Sequence, residues 1–330
     1  MRLTANTRLR RENVPMRRSV PNLPPRPNLN TLSPMKFAHI SMFTVVLLVA
    51  GCHAARPAGA HYVTTINPLR AILAEVVGER GEVTALLAPG ASPHTYEPRP
   101  SDAIAAESAL ALFYAADDID AWAAKLPTKE RIALFSFVPE TMRVPYDEAG
   151  HAGEGEHHHE QGSDNGHFWS DPLAVKAILP ELVNRLCTLH PDGAETYKRN
   201  AARFAEDLDK LDGEMKAAFA GLGGRPVFMF HPSWTYFMKR YGLRVAGMIE
   251  PFPGKEPTPK FLKALIDSAK EQNVRAVFTE PQLPRRPAEV IAEACGLPLH
   301  ELDPNGGVEG RRTYRELIEY NAAMLKQALQ

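Results

Sequence analysis

Cysteine is scarce in this chain of 330 residues, which contains three of them. Two of these, Cys187 and Cys295, could pair if the protein is exported. However, Cys187 lies within an apolar helical pattern, and Cys295 follows Ala-Glu-Ala at the end of another helical stretch. We therefore expect two buried thiols and no disulfide between them.

Continuous hydrophobic sequence is also limited near the start of the chain. The apolar run 42–50 has nine residues, too few to span a bilayer but suited to the core of a signal peptide. Residues 1–34 are rich in Arg, Pro and Asn without periodicity, and Met35 offers a second start. Small residues precede Cys52 and resemble the lipobox of bacterial lipoproteins, which would make Cys52 the acylated N-terminus. A plain secretory signal cleaved just downstream is the alternative, and both predict a protein that works outside the cytoplasm.

Positively and negatively charged residues are nearly equal in number, which gives a formal net charge of −1. Residues 1–51 hold eight of the 38 basic residues and one of the 39 acidic residues, so the remainder carries 30 against 38, a net charge of −8. A net acidic surface argues against nucleic acid as a partner. It is compatible with a cation as the ligand.

Strand-like and helix-like segments alternate from residue 61, which predicts an α/β fold with mostly parallel sheets wrapped by helices. The stretch 194–222 forms one amphipathic pattern, about 40 Å long at 1.5 Å per residue. We interpret it as a helix that connects two α/β lobes, with a surface helix of a single domain as the alternative. The predicted organisation is an N-terminal extension and lipoprotein-type signal peptide at 1–51, an N-terminal lobe at 52–190 with a His-rich loop at 150–166, a connecting helix at 191–223 and a C-terminal lobe at 224–330.

The stretch 151–172 reads HAGEGEHHHEQGSDNGHFWSDP and has no apolar periodicity before Phe168. Such a segment buries too little surface to offset the entropy lost on ordering, so it predicts a mobile loop. Neutral imidazoles beside carboxylates chelate zinc and, after it, nickel and copper. We expect accessory metal binding by the loop histidines His151, His157, His158 and His159. A solvated polar linker is the alternative.

Several polar residues follow predicted strands: His94 in the loop after the second strand, and His231, Glu280 and Asp303 at later strand ends. In open α/β sheets, ligands bind beyond the carboxyl ends of the strands. His94 and His167 come from the first lobe, whereas His231 and Asp303 come from the second. Three imidazoles and one carboxylate make a tetrahedral set suited to zinc, so we predict these four as ligands. For any histidine taken singly, a core or surface role is the usual one.

Seven short motifs form a specific combination that covers nearly the whole chain beyond the signal-like segment. They are TINPL at 65–69, PHTYEP at 93–98, GHFWSDP at 166–172, HPSWTYF at 231–237 with RYG at 240–242, FTEPQ at 278–282 and LDP at 302–304. With these motifs the chain resembles the metal-binding solute receptors of bacterial ABC importers, the zinc and manganese group (cluster A-I). The resemblance implies two α/β lobes joined by one long rigid helix, with metal in the cleft between them. The family's four ligand positions fall on His94, His167, His231 and Asp303.

The third ligand position distinguishes the metals within that family, since manganese receptors tend to carry Glu there and zinc receptors His. This chain has His231, and imidazole is a softer ligand that favours zinc over manganese. Some zinc receptors place an acidic residue before the first histidine, where this chain has Pro93, so the fourth ligand is Asp303 or a water. We expect Glu280 and Asp120 to accept N–H groups from ligand imidazoles, with a capping or inter-lobe hydrogen-bond role as the alternative.

The resemblance implies an extracytoplasmic, high-affinity receptor that delivers Zn²⁺ to an ABC permease in the cytoplasmic membrane. We expect a lipid-anchored monomer, periplasmic or on the outer face of that membrane. The alternatives are a manganese or iron receptor of the same family and a secreted zinc hydrolase; an adhesin role could be added to any of them. We expect no enzyme, because Asp303 would fill the open position that catalysis needs and no H-E-x-x-H motif occurs. Zinc affinity is expected to fall as the pH drops through about 6, since protons compete for imidazole.

Overall fold

The computed structural model describes residues 59–146, 163–252 and 254–330. The predicted signal segment with Cys52, and the loop histidines His151, His157, His158 and His159, lie outside these residues. No helix in the described ranges combines the length and apolar character needed to cross a membrane. The described chain forms two four-stranded sheets whose strands are all parallel. The α/β class predicted from the alternation is therefore confirmed.

The first sheet lies in the N-terminal half of the chain. Its strands and helices are β1 (Ala60–Thr64), α1 (Asn67–Val77), β2 (Gly81–Ala85), α2 (Pro100–Ser108), β3 (Ala111–Tyr114), α3 (Asp117–Asp120) and β4 (Arg131–Ala133). The strand order is β2-β1-β3-β4. Tyr62 and Phe113 pack into one buried cluster, whereas their neighbours Val63 and Leu112 pack into another. Both faces of the sheet are thus covered, as parallel strands joined by helices require.

The second sheet repeats this arrangement in the C-terminal half. Its elements are β5 (Val227–Met229), α6 (Thr235–Arg240), β6 (Val245–Met248), α7 (Pro259–Glu271), β7 (Val277–Thr279), α8 (Arg286–Cys295), β8 (Leu299–Glu301) and α9 (Tyr314–Leu329). The strand order β6-β5-β7-β8 has the same pattern as that of the first sheet. In each sheet, the second strand in sequence pairs with one side of the first strand, and the third strand pairs with its other side. Open α/β sheets bind ligands at such a switch point, beyond the carboxyl ends of the strands.

Two helices lead from the first sheet to the second, α4 (Pro172–Leu189) and α5 (Ala194–Phe219). Helix α5 has 26 residues, about 39 Å at 1.5 Å per residue. It packs on α4 and α1, and also on α9. The helix ends before the expected Leu222, because Ala220 leaves the helical conformation and Gly221 has a φ of +79°. The predicted long connecting helix is confirmed in this shorter form.

The largest buried cluster includes residues of both sheets. It contains Tyr62 of β1, Phe204 of α5, Met229 of β5 and Tyr314 of α9. Two smaller clusters cover the opposite faces of the two sheets. Because close-packed interiors resist rearrangement, a core shared between the lobes restricts their movement relative to each other.

Two details differ from the sequence-based expectations. Strand β4 ends at Ala133 and continues as a short 3₁₀ helix, Leu134–Phe137, where the apolar pattern predicts strand through Phe137. Cys187 and Cys295 are both free, as expected, but each is only partly buried. An apolar position on a helix can face the rim of the core, so the pattern alone overestimates the burial of these thiols.

Candidate metal centre

Three histidines from separate parts of the chain meet between the two sheets. Ring nitrogens of His94, His167 and His231 all lie within 4.8 Å of one another. His94 lies in the 3₁₀ turn Pro93–Thr95 that follows β2, and His167 immediately precedes the 3₁₀ turn Phe168–Ser170 that leads into α4. His231 follows β5. The structure thus brings together the three histidines that the sequence predicted as ligands.

Glu280 determines which nitrogen of His231 carries the proton. The carboxylate is buried directly after β7, and its Oε1 accepts hydrogen bonds from His231 Nδ1 at 2.7 Å and from the Ser233 hydroxyl at 2.9 Å. Because a carboxylate can only accept, Nδ1 is protonated and Nε2 keeps its lone pair. This contact is the one expected for Glu280 from the sequence.

Asn165 orients His167 in the same way. Its Oδ1 accepts from the backbone N–H of His167 at 2.9 Å and from His167 Nδ1 at 2.7 Å. Its amide nitrogen donates to the Pro232 carbonyl at 2.8 Å. Since these backbone partners identify the oxygen and the nitrogen of the amide, Nδ1 of His167 is protonated and Nε2 is free. Asn165 is absent from the residues predicted above; its place two residues before a predicted ligand is the signal that could have identified it.

His94 completes a set of three unprotonated nitrogens. Its ring hydrogen-bonds to the backbone of Asp118, and its buried Nε2 has no hydrogen-bond partner among the described residues. The Nε2 atoms of His167 and His231 face each other at 3.2 Å. Two nitrogens bound at about 2.0–2.1 Å to one tetrahedral zinc ion would lie about 3.3 Å apart. Facing lone pairs repel, so this spacing is favourable when a cation lies between them.

Burial keeps the first-lobe imidazoles neutral. Desolvation and, secondarily, the nearby His231 lower the pKa of His94 to about 3, against the opposing hydrogen bond to the backbone of Asp118. Burial, followed by the proximity of His231 and His94, holds the pKa of His167 well below its usual value. Both imidazoles therefore take up a proton only at acidic pH.

A small cavity lies among the three histidines. Its volume is about 10 Å³, and Glu280 and Gln282 also line it. This is the space that one water-sized sphere occupies. The cavity therefore has room for a single ion.

Asp303 does not belong to the histidine group formed by the described residues. Its Oδ1 accepts from the Gln282 side chain at 2.7 Å and from the backbone N–H groups of Asn305 and Gly306 at 3.1 and 3.0 Å. Its Oδ2 lies 2.9 Å from Arg311 Nη1. Both carboxylate oxygens thus have partners, and the assignment of Asp303 as fourth ligand stays a prediction.

Asp120 has a structural role at the end of β3. The carboxylate is fully buried and accepts from the Thr65 hydroxyl at 2.5 Å and from the backbone N–H groups of Ala115 and Ala116. Desolvation raises its pKa to about 7, although these hydrogen bonds oppose the shift. Within the described ranges, the Asp120 carboxylate accepts no hydrogen bond from a histidine. Its contacts agree with the alternative given above, a capping role.

Two parallel α/β lobes with a three-histidine cluster between them define a class of two-lobed metal-binding proteins. Residues 63–328 match the family model described as "ZnuA: Zinc-uptake complex component A periplasmic", and the chain belongs to this family. The high-affinity zinc uptake system protein ZnuA of Yersinia pestis is 29% identical, with 76% of this chain and 84% of that protein covered. The protein of the same name from Brucella abortus is 27% identical, with 89% and 99% covered. A crystal structure of ZnuA has a TM-score of 0.70 at 26% identity and covers 82% of this chain and 100% of that one.

Proposed function

We propose that this protein is an extracytoplasmic receptor that binds one zinc ion tightly and delivers it to an ABC permease. The observation that carries the proposal is the convergence of three unprotonated Nε2 atoms, two of them 3.2 Å apart, on a cavity of about 10 Å³. Preorganised lone pairs lose little free energy to reorganisation when the ion binds. Family membership and the zinc uptake role named for the relatives support the same function.

The ligand chemistry supports zinc as the ion. Imidazole binds zinc, nickel and copper well, whereas manganese prefers carboxylate and carbonyl oxygens. The three converging side chains are all imidazoles, and the carboxylate of Glu280 contacts the ring of His231. Manganese should therefore bind much more weakly than zinc, and nickel is the stronger competitor.

A fourth ligand completes a tetrahedral site, and Asp303 is our candidate. To bind the metal, the Asp303 carboxylate would give up its contact with Gln282 or with Arg311. The change Asp303→Asn should then weaken zinc binding more than about 100-fold, beyond the 10- to 100-fold range of outer-shell changes. Competitive titration measures this loss. Unchanged affinity would assign the fourth position to a water molecule.

Delivery follows from the division of the ligands between lobes at 52–190 and 224–330, joined by the segment 191–223. His94 and His167 belong to the first lobe and His231 to the second, so a small shift of one lobe opens the site. Docking on the permease would supply that shift. Acylation at Cys52 would keep a monomeric receptor at the outer face of the membrane that contains the permease.

The test is competitive titration of the metal-stripped protein with zinc, manganese and nickel. We expect one tight zinc site, much weaker manganese binding, and a large loss of zinc affinity in His231→Ala. His300→Ala is the matched control, because His300 is a half-buried histidine of β8 in the same lobe. Manganese binding as tight as zinc, or equal zinc affinity in His231→Ala and the control, would contradict the proposal.

A further inference from the structure

Asn165 is fully buried, and each of its hydrogen-bonding groups has a partner. Its side-chain oxygen accepts twice from His167, and its side-chain nitrogen donates to the Pro232 carbonyl. Its backbone N–H donates to Val144 O at 2.8 Å, and its backbone carbonyl accepts from the Tyr236 hydroxyl at 2.9 Å. A side chain held at every polar atom has one orientation.

These contacts connect the two lobes at the histidine cluster. His167 belongs to the first lobe, and Pro232 directly follows His231 in the second. The oxygen and the nitrogen of one planar amide keep a constant separation. The Asn165 amide therefore relates the ring of His167 to the backbone that carries His231, whose Nε2 lies 3.2 Å from that of His167.

We infer that Asn165 is a positioning residue for metal binding, which sets both the tautomer of His167 and its distance from His231. The inference rests on the proposed zinc-binding function. Asn165 itself contributes no ligand atom to the three-histidine group. Its effect resembles that of the outer-shell acceptors of other metal sites, whose loss typically costs about 10- to 100-fold in metal affinity.

The chemistry of the site requires an amide at this position. An aspartate could accept from His167, but its second oxygen would face the Pro232 carbonyl without a proton to donate. An alanine would lose both contacts and leave the buried Pro232 carbonyl without this donor. Asn165→Asp thus separates the two functions of the side chain, because it keeps the contact with His167 and removes the one with Pro232.

Tyr236 supports the same position from the second lobe. Its hydroxyl donates to the Asn165 carbonyl and accepts from the Val144 N–H at 3.1 Å. It therefore holds the two antiparallel segments that pair at Pro145 and Asp164. Tyr236→Phe removes this support without altering any side chain that contacts a histidine nitrogen, and should weaken zinc binding less than Asn165→Ala.

The test is competitive zinc titration of the full-length, metal-stripped protein, with cobalt(II) absorption as a second readout. Asn165→Ala should lower zinc affinity about 10- to 100-fold and change the visible cobalt spectrum, which reports ligand geometry. Asn165→Asp should give a smaller loss. The control is Asn200→Ala, which removes a buried amide that donates to the Val76 carbonyl away from the histidines. It should leave the affinity and the spectrum unchanged.

Wild-type zinc affinity and an unaltered cobalt spectrum in Asn165→Ala would overturn the inference while leaving the proposed function intact. If Asn165→Ala does not fold, Asn165→Leu decides the question, since its shape is nearly that of the native residue and it lacks both polar contacts of the amide. Wild-type affinity in that variant would overturn the inference, and a reduced affinity would support it. A wild-type protein without a tight zinc site would overturn both the proposed function and the inference.

Discussion

The two lobes have the same strand order but hold their histidines with different partners. In the first lobe, the acceptors are the backbone of Asp118 for His94 and the neutral amide of Asn165 for His167. In the second, the acceptor for His231 is the carboxylate of Glu280, at 2.7 Å. Both kinds of acceptor orient the ring, but an anionic one also raises the basicity of the imidazole as a ligand.

Because of this difference, the histidines of the two lobes have different electrostatic surroundings. In the proposed site, the first lobe would supply two preorganised neutral imidazoles, and the second would supply one imidazole that contacts a buried carboxylate. Similar topology therefore does not give similar electrostatics, because the acceptors come from loops and strand ends and not from the strand order. The predictions below test how far the asymmetry determines binding.

The largest expected effect is the loss of a ligand. His231→Ala and His94→Ala should each weaken zinc binding by more than about 100-fold, beyond the range of outer-shell changes. The loss in His231→Ala should be the greater, since the Glu280 carboxylate makes His231 the more basic ligand. Competitive titration of both variants measures the two losses, and equal losses would argue against a special role for the second-lobe histidine.

The next effect concerns the charge behind His231. Glu280→Gln keeps an acceptor oxygen but removes the negative charge, so zinc affinity should fall by about 10- to 100-fold. The matched control is Glu301→Gln, a half-exposed glutamate of the same sheet whose nearest ion-pair distance, to Arg285, is 3.8 Å. If both variants bind zinc like the wild type, hydrogen bonding alone accounts for the role of Glu280.

The smallest effect is the pH dependence of the metal-free protein. The pKa values of His94 and His167 are lowered by burial, so below about pH 6.5 the unfolded chain binds protons that the folded chain does not. These two histidines should therefore lower the free energy of unfolding as the pH falls from about 6.5 towards 4, whereas Asp120, whose pKa is raised to about 7, acts in the opposite direction. Urea unfolding at several pH values measures the slope, which should be smaller in His94→Ala. An identical slope in that variant would show that other groups control acid stability.

Much of the fold could be predicted from the sequence because its signals are local. Apolar runs such as 111–114 and 227–229 alternate with helical patterns, and proline and glycine mark the boundaries. The histidines of the cluster could be recognised because His94 and His231 follow strands and His167 ends a tract without apolar periodicity. Asp120 shows where local reasoning fails: a carboxylate near the cleft can equally cap the end of a strand, and its partners Thr65 and Ala115 become evident only in the folded chain.

The sequence by itself determined the α/β alternation and two of the three clustered histidines, His94 and His231, since both follow strands and the carboxyl ends of parallel strands lie on one edge of a sheet. Only the tertiary structure decided which nitrogen of each histidine faces the site and which side chains position them. Those choices depend on contacts between residues far apart in the chain, such as Glu280 with His231 and Asn165 with Pro232. The ion pair between Asp303 and Arg311 likewise depends on how the segment after β8 folds back. Hydrogen bonds between residues far apart in the chain leave no periodic pattern in the sequence, so the sequence alone does not reveal them.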